Sequence, residues 1–448
     1  MDNMGSPCYV EARVKTSEDP LAVMARLAES GPHHEFVVYE NESIWCYAGG
    51  ILADIRLDRD GATLRGVREA EFAWDGRPLR RVSELLAMLP LPQWRVYGWA
   101  AFELSYARDG SRERLDNERL LHLIVPRSEV RLHAGVAHVR SSDPGTLATL
   151  VDLLSTRADS AHRRAAPINV RNIGRDEYCA SVASAVQEIT ADVLQKVILS
   201  RKIEIDSDID LVASYVLGRR RNNPARSFLL RLDGLEAAGF SPEIVVSVDV
   251  DGTVVSHPLA GTRAFTESAA ENTRRRLELL SSAKEIYEHA ISVKIGHDEL
   301  LTVCEPNSVG VRDLMSVEER GSVQHLASQV TGKLAAGADA WDAFTAVFPA
   351  VTVSGVPKEA AFAAIRRHEG DRRGLYGGAV LTVDSSGALD AALVLRTVFR
   401  ENGRTWLRAG AGIVGQSQPA REFEETCEKL DSVARFLVAN EIREEVDA

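Results

Sequence analysis

YGGAVLTVDSSGALDAALVLRTVFRENGRTWLRAGAGI, residues 376–413, carries the reading of the fold. Its apolar and β-branched runs are short and are broken at Ser386-Gly387 and Asn402-Gly403, pairs that favour tight hairpin turns. The stretch therefore predicts three antiparallel strands. Similar short runs lie earlier in the chain: EFVVYE from 35, SIWCYAGG from 43, ILADIRL from 51 and ATLRGV from 62 read as a meander. VVSVDVDGTVVSHP, from 245, is a hairpin turning at Asp251-Gly252, and SEVRLHAGVAHVRSS, from 128, is another. VLQKVILSRKIEI, 193–205, has strand character, and WRVYGWAAFELSYA, 94–107, reads as buried.

Helical stretches separate these strands. RVSELLAMLP is a short helix stopped by Pro90. Tyr178, Val182, Val186 and Ile189 recur at helical spacing behind Asp176, the expected cap. RRRLELLSSAKEIYEHAISVKIGHDELL, ADAWDAFTAVF and REFEETCEKLDSVARFLVAN complete the set. Long hairpins mixed with helices predict an α+β fold, not a regularly alternating parallel sheet. Residues 1–10 read as a flexible tail, and 157–167, at the end of a helix begun at 143, as the one linker.

The 448 residues carry 53 Lys and Arg against 65 Asp and Glu, a formal charge of −12. An acidic chain without a basic run is poorly suited to nucleic acid or an anionic membrane. An anionic substrate would need positive charge concentrated locally. No window has the apolar length of a membrane span. Five widely spaced cysteines without a CxxC argue against a disulfide framework and point to a reducing, cytoplasmic setting.

Four features carry candidate chemistry. Glu285 and Glu288 are three residues apart, as are Glu422 and Glu425, so each pair shares a helix face. Converging, they would make an all-oxygen cation site suited to Mg²⁺ or Ca²⁺. Taken singly, each pair reads more readily as a solvated face with ion pairs to Lys284, Arg421 and Lys429. GAGIVG, 410–415, matches a dinucleotide-binding glycine pattern, but the loop runs into QSQPA and does not open a helix directly, so that reading fails on context. A close backbone approach to an anion, or a tight turn, is left. Lys196, within an apolar strand, either snorkels, which the pattern favours, or is buried and usable as a base. Glu243 follows a Ser-Pro turn at a strand start, where a carboxylate is more often structural. His289 and His325 read as packed or hydrogen-bonded histidines.

Together, QKVILSRK, GFSPEIV, PLAGTR, SAKEIYEHAISV, RGSVQHLAS, FPAVTVSGVPK, RGLYGGAV, AGAGIV and EFEETCEKL resemble the chorismate-utilising enzymes over about 174–437. That family includes isochorismate synthases, salicylate synthases and the large subunits of anthranilate and aminodeoxychorismate synthases. The wording is most similar to the salicylate synthases of siderophore pathways, of the mycobactin or yersiniabactin kind. The resemblance implies one large α+β domain with antiparallel sheets over 11–448, its divergent N-terminal part spanning 11–165 and its catalytic part 170–440. It implies Lys196 as general base and Glu243 as general acid. Glu288 and Glu425 would bind Mg²⁺, with Glu285 and Glu422 acting through waters. Gly261, Thr262, His325, Tyr376, Arg396, Gly410, Gly412 and Lys429 would hold the substrate. The expected reaction takes chorismate to isochorismate and then to salicylate and pyruvate. An isochorismate synthase releasing its product, or less readily an anthranilate-type synthase, are the alternatives. Lys196 replaces the glutamine of ammonia-using members, so no glutaminase partner is expected, and the chain is expected to be a monomer. AFTESAAENTRRR, after Arg263, departs from the family pattern and is expected to change a loop.

Overall fold

The computed structural model describes residues 8–74, 76–107, 112–156 and 164–440; of the expected linker, 157–163 lie outside the described residues. Two long strands, Ile44–Leu57 and Leu121–His133, organise the molecule. They pair with each other along most of their length, with a register shift between Ile51 and Ala53. At that irregularity the sheet divides, because each strand has different neighbours at its two ends.

One branch continues from Ile44–Leu57 through Phe36–Asn41, Arg226–Leu232, Leu235–Ser241, Thr397–Glu401, Arg404–Ile413 and Lys196–Ile205. The other leaves Leu121–His133 through Arg95–Ala100, Ala379–Asp384, Leu389–Leu393, Ile244–Val248, Thr253–Ser256 and Val323–Lys333. Leu259–Ala264 and Gly310–Arg320 both pair with that last strand. Every one of these pairings is antiparallel, as the hairpin-forming sequence requires.

The structure refines several expectations. Residues 376–413 form four strands, not three, because Leu395 and Arg396 turn the chain between Leu389–Leu393 and Thr397–Glu401. Arg396 takes a left-handed backbone, φ 50°, at that corner. SIWCYAGG and ILADIRL are one continuous strand. The first strand starts at Val10, inside the stretch read as tail, and pairs with Val136–Ser141. Gly174, not Asp176, caps the helix Arg175–Thr190. The stretch from 269 to 300 is two helices, Ala269–Ser281 and Ala283–Leu300, with Ser282 receiving the Glu285 N–H at the break. AFTESAAENTRRR therefore leads into a helix capped by Ser268, and not merely a loop.

A buried polar cluster ties the branches together. Arg226 of one branch makes two hydrogen bonds, 2.8 and 2.7 Å, to Asp390 of the other, and the Tyr39 hydroxyl donates to the same carboxylate. Removing one partner from such a pair strands a buried charge. Asp390→Ala is expected to lower stability by about 3–5 kcal/mol in urea denaturation. Asp390→Asn, which keeps an acceptor, is expected to cost less.

Candidate active site

Where the two branches approach each other, the helices Ala283–Leu300 and Pro419–Ala434 pack against the strands Leu259–Ala264, Val323–Lys333 and Arg404–Ile413. Between them lies a cavity enclosing about 670 Å³ of non-atom space, its open mouth included. It is lined by Glu243, Gly261, Thr262, Glu288, His325, Tyr376, Arg396, Gly410, Gly412, Glu425 and Lys429, all singled out from the sequence. Lys196, Glu285 and Glu422 stand behind that lining.

Lys196 opens the strand Lys196–Ile205, which is flanked on both sides by other strands. No solvent path remains for its stem, so the snorkelling reading is overturned: its exposure is 0%. Its ammonium lies 3.2 Å from Glu288 Oε1 and donates to Ser292 Oγ at 3.1 Å. Ser292 is four residues beyond Glu288 on the same helix and donates to the Glu288 carbonyl, so one helix face supplies both partners.

The solvated-face reading of the glutamate pairs is overturned too. Glu285, Glu288, His289, Ser292 and Val293 form one inward stripe of their helix, and Glu422 and Glu425 lie on the buried face of theirs. Each carboxylate has a basic partner. Glu285 takes Arg263 at 2.8 Å and the Thr262 N–H at 3.2 Å. Glu422 takes Lys284 at 2.7 Å, and Glu425 takes Lys429 at 2.8 Å. Burial and the neighbouring charges of Glu425 and Glu288 raise the Glu285 pKa. Burial and the Glu425 charge likewise push Glu422 up. In Glu425 the burial is outweighed by Lys429 and Lys284, which hold it down. Glu422 Oε2 is buried without a hydrogen bond, although Ser417 stands close by. Among the described residues no three His, Cys, Asp or Glu side chains already form a closed ligand cage. An oxygen-only set with mutual repulsion and an unsatisfied carboxylate oxygen nevertheless fits a hard divalent cation.

Two glycines are explained by these carboxylates. A Cβ on Gly412 would stand 2.1 Å from Glu288 Oε1. Gly261, at φ 79°, sits at a register shift between Ala260 and Thr262, and a Cβ there would meet Glu285 at 3.2 Å. GAGIVG thus ends a strand, and its second glycine makes room for an acidic side chain.

The opposite wall is basic. Arg396 is buried, donates to the Arg320 carbonyl at 2.8 Å and to His325 Nε2 at 2.6 Å, and has no carboxylate partner among the described residues. An Arg donor fixes His325 Nε2 as acceptor, leaving Nδ1–H to face the Gly261 carbonyl at 3.3 Å and Thr262 Oγ1 at 3.1 Å. Burial first, then Arg396 and Lys429, keep His325 neutral by lowering its pKa well below the usual range. Lys429 also donates to the Gly410 carbonyl, 2.9 Å. Tyr376, buried, shares this wall. His289 is packed as expected, its Nε2 2.7 Å from Ser328 Oγ.

Glu243 lies at the join, just before the strand Ile244–Val248. Burial raises its pKa to about 8, against a hydrogen bond from Thr352 Oγ1 at 2.7 Å and the charges of Lys196 and Lys429. The sequence reading missed Thr352, Ser292 and Arg263. It also missed a buried Arg373–Glu369–Arg408 network, with contacts of 2.6 Å, that underpins the wall at Arg408. Of these, only Ser292 had a signal, its helical spacing from Glu288.

The chain matches the family model described as chorismate binding enzyme over residues 22–435. It is 42% identical over 430 residues to a salicylate synthase of Mycolicibacterium paratuberculosis, covering 94% of this chain and 95% of that protein. It is 36% identical over 317 residues to an anthranilate synthase component 1 of Mycobacterium bovis, covering 69% and 59%. The crystal structure of anthranilate synthase component I from Streptococcus pneumoniae superposes with TM-score 0.74 and 25% identity, covering 91% of this chain and 93% of that one. The Escherichia coli isochorismate synthase MenF superposes equally well, TM-score 0.74, covering 96% and 95% at 20% identity, a likeness of fold.

A raised Glu243 pKa has a consequence for stability. The folded chain holds this proton to about pH 8, whereas an unfolded glutamate releases it near its ordinary pKa of 4.5. The contribution is therefore full below the unfolded pKa and is lost as pH rises towards about 8. Glu243→Gln is expected to match the wild type near pH 4 and to exceed it above pH 8 by a few kcal/mol, at about 1.36 kcal/mol per pH unit. Chemical denaturation across that range measures the difference.

Proposed function

The chain belongs to the chorismate-binding enzymes, and from that premise we propose that it is a Mg²⁺-dependent salicylate synthase, converting chorismate to isochorismate and then to salicylate and pyruvate for a siderophore or related aryl-capped product. The observation that carries this reading is one cavity with a buried, neutral acid, Glu243, between a carboxylate cluster and a basic wall. The 42% identity to a salicylate synthase along nearly the whole chain supports the choice within the family.

Chorismate carries two carboxylates. Arg396, a buried guanidinium without an anionic partner among the described residues, suits one of them, and a planar fork matches it bidentately. Tyr376 and Lys429 line the same wall and complete this clamp. Glu288 and Glu425, which line the cavity, would hold Mg²⁺, with Glu285 and Glu422 behind them through waters. The bound ion would supply positive charge to the ring carboxylate and draw electron density from the diene.

Glu243 would give its proton to the departing C4 hydroxyl, which leaves as water. Lys196 would take a proton from the water that adds at C2. Lys196 is paired with Glu288, a carboxylate of the cavity lining, so that contact would open as the amine engages the water. The acid and the base are thus held in two buried environments, the condition for opposite roles near neutral pH. In the second step the C2 hydrogen moves to the enolpyruvyl methylene as the ether C–O bond breaks, giving pyruvate and salicylate. That step needs a folded substrate conformation more than a further acid or base. His325, kept neutral by burial and the charges of Arg396 and Lys429 and oriented by its bonds to Arg396 and the Gly261 carbonyl, would shape that conformation.

Purified protein incubated with chorismate and Mg²⁺ is expected to yield salicylate and pyruvate on chromatography; isochorismate alone would reassign it as an isochorismate synthase, and no turnover would remove the reading. Excess chelator is expected to abolish turnover. Lys196→Gln is expected to lower turnover by at least about 10²-fold, the scale of a lost general base, and retained salicylate formation would take the base role from Lys196. Because the acid must carry its proton, kcat/KM, which reports groups of the free enzyme, is expected to fall as pH rises through about 8, a decline read directly from a pH–rate profile.

A further inference from the structure

Lys284 has no part in the chemistry above, yet it occupies a telling position. It is the second residue of the helix Ala283–Leu300, immediately before Glu285. Its side chain crosses to the other acidic helix, where Nζ stands 2.7 Å from Glu422 Oε1. Glu422 is fully buried, exposure 0%, and its second oxygen, Oε2, takes no hydrogen bond. The Lys284 ammonium interacts electrostatically with all four carboxylates: Glu425, Glu422, Glu288 and Glu285.

The other basic partners of the cluster are committed elsewhere. Lys429 is shared with the Gly410 carbonyl, Lys196 with Ser292, and Arg263 with the Thr262 carbonyl. The only hydrogen bond of Lys284 among the described residues is to Glu422. A flexible four-carbon stem with a point charge at its end is well suited to occupy a site and to leave it. Resting on the reading of this cluster as the Mg²⁺ site, we propose that Lys284 is its resident counter-cation, which a divalent ion displaces from Glu422 on binding.

The consequence is a competition between two cations for one buried carboxylate. A metal-free chain is stabilised by Lys284, because four buried carboxylates with fewer cations repel one another. The same contact weakens the cation's hold, since the ion gains Glu422 only by breaking the pair. Removing the charge at position 284 therefore tightens metal binding and destabilises the metal-free fold, two effects of opposite sign. A lysine with a merely structural role would weaken both.

The test is calorimetric titration of Mg²⁺ into substrate-free protein in alkaline buffer at fixed ionic strength, with melting temperatures in chelator and in excess Mg²⁺. Lys284→Met is expected to bind Mg²⁺ about tenfold more tightly than the wild type, which corresponds to about 1.4 kcal/mol. It is also expected to melt lower in chelator, with the gap closing in Mg²⁺. Lys284→Arg, which keeps the charge, is expected to stay within about threefold of the wild type. Lys284→Gln, neutral and polar, gives the same comparison should the methionine variant not fold. Equal or weaker Mg²⁺ binding by a folded neutral variant would overturn the displacement idea while leaving the cation site standing. Absence of Mg²⁺ binding in every variant would remove the cation site itself, and the role of Lys284 with it.

Discussion

Charge placed out of water has to be balanced within the protein, and at this site four carboxylates are balanced by four basic side chains. The pairs Lys196–Glu288, Lys284–Glu422, Lys429–Glu425 and Arg263–Glu285 span 2.7 to 3.2 Å. Every one joins different elements or adjacent turns, so the neutralisation also fixes how two helices sit on the ends of the two sheet branches. An isolated buried ion is so costly that none of these groups is free to move alone. The glycines follow from the same constraint: Gly412 and Gly261 lack a Cβ where Glu288 and Glu285 come closest.

The site is polarised across its width. Carboxylates cluster at one side, and Arg396, lacking a carboxylate partner among the described residues, stands at the other with His325 and Tyr376. Glu243 lies between, protonated near neutrality because burial outweighs the Thr352 hydrogen bond and the nearby lysines. That polarity offers a cationic wall to an anionic group and a carboxylate wall to a cation. The chain's overall −12 charge is no obstacle, since the field that matters is local. The sheet branches contribute rigidity, with Arg226–Asp390 holding them together away from the cavity.

Much of this was legible in the chain. Hairpin turns at Asp251-Gly252 and Asn402-Gly403 predicted antiparallel strands, and the structure places them there. Each residue named from the family resemblance either lines the cavity or stands directly behind it. The burial of those same residues is hidden in the sequence for one physical reason. Periodicity detects buried faces by their apolar residues, and here the buried stripe of Ala283–Leu300 begins with Glu285, Glu288, His289 and Ser292. Such a stripe looks solvated in sequence. The same applies to Lys196, whose apolar neighbours in the strand are compatible with snorkelling until strands close on both sides.

By itself, the sequence determined the class of fold, the turns that set strand order, and the family, because short-range backbone preferences and motif wording are properties of contiguous residues. Only the tertiary structure decided which charges are buried, who neutralises whom, and which residues face the cavity. Glu243 and Thr352 are 109 positions apart and Lys284 and Glu422 are 138 apart. Pairings of that span, and the desolvation that gives them meaning, exist only once the two branches and two helices have closed on one another.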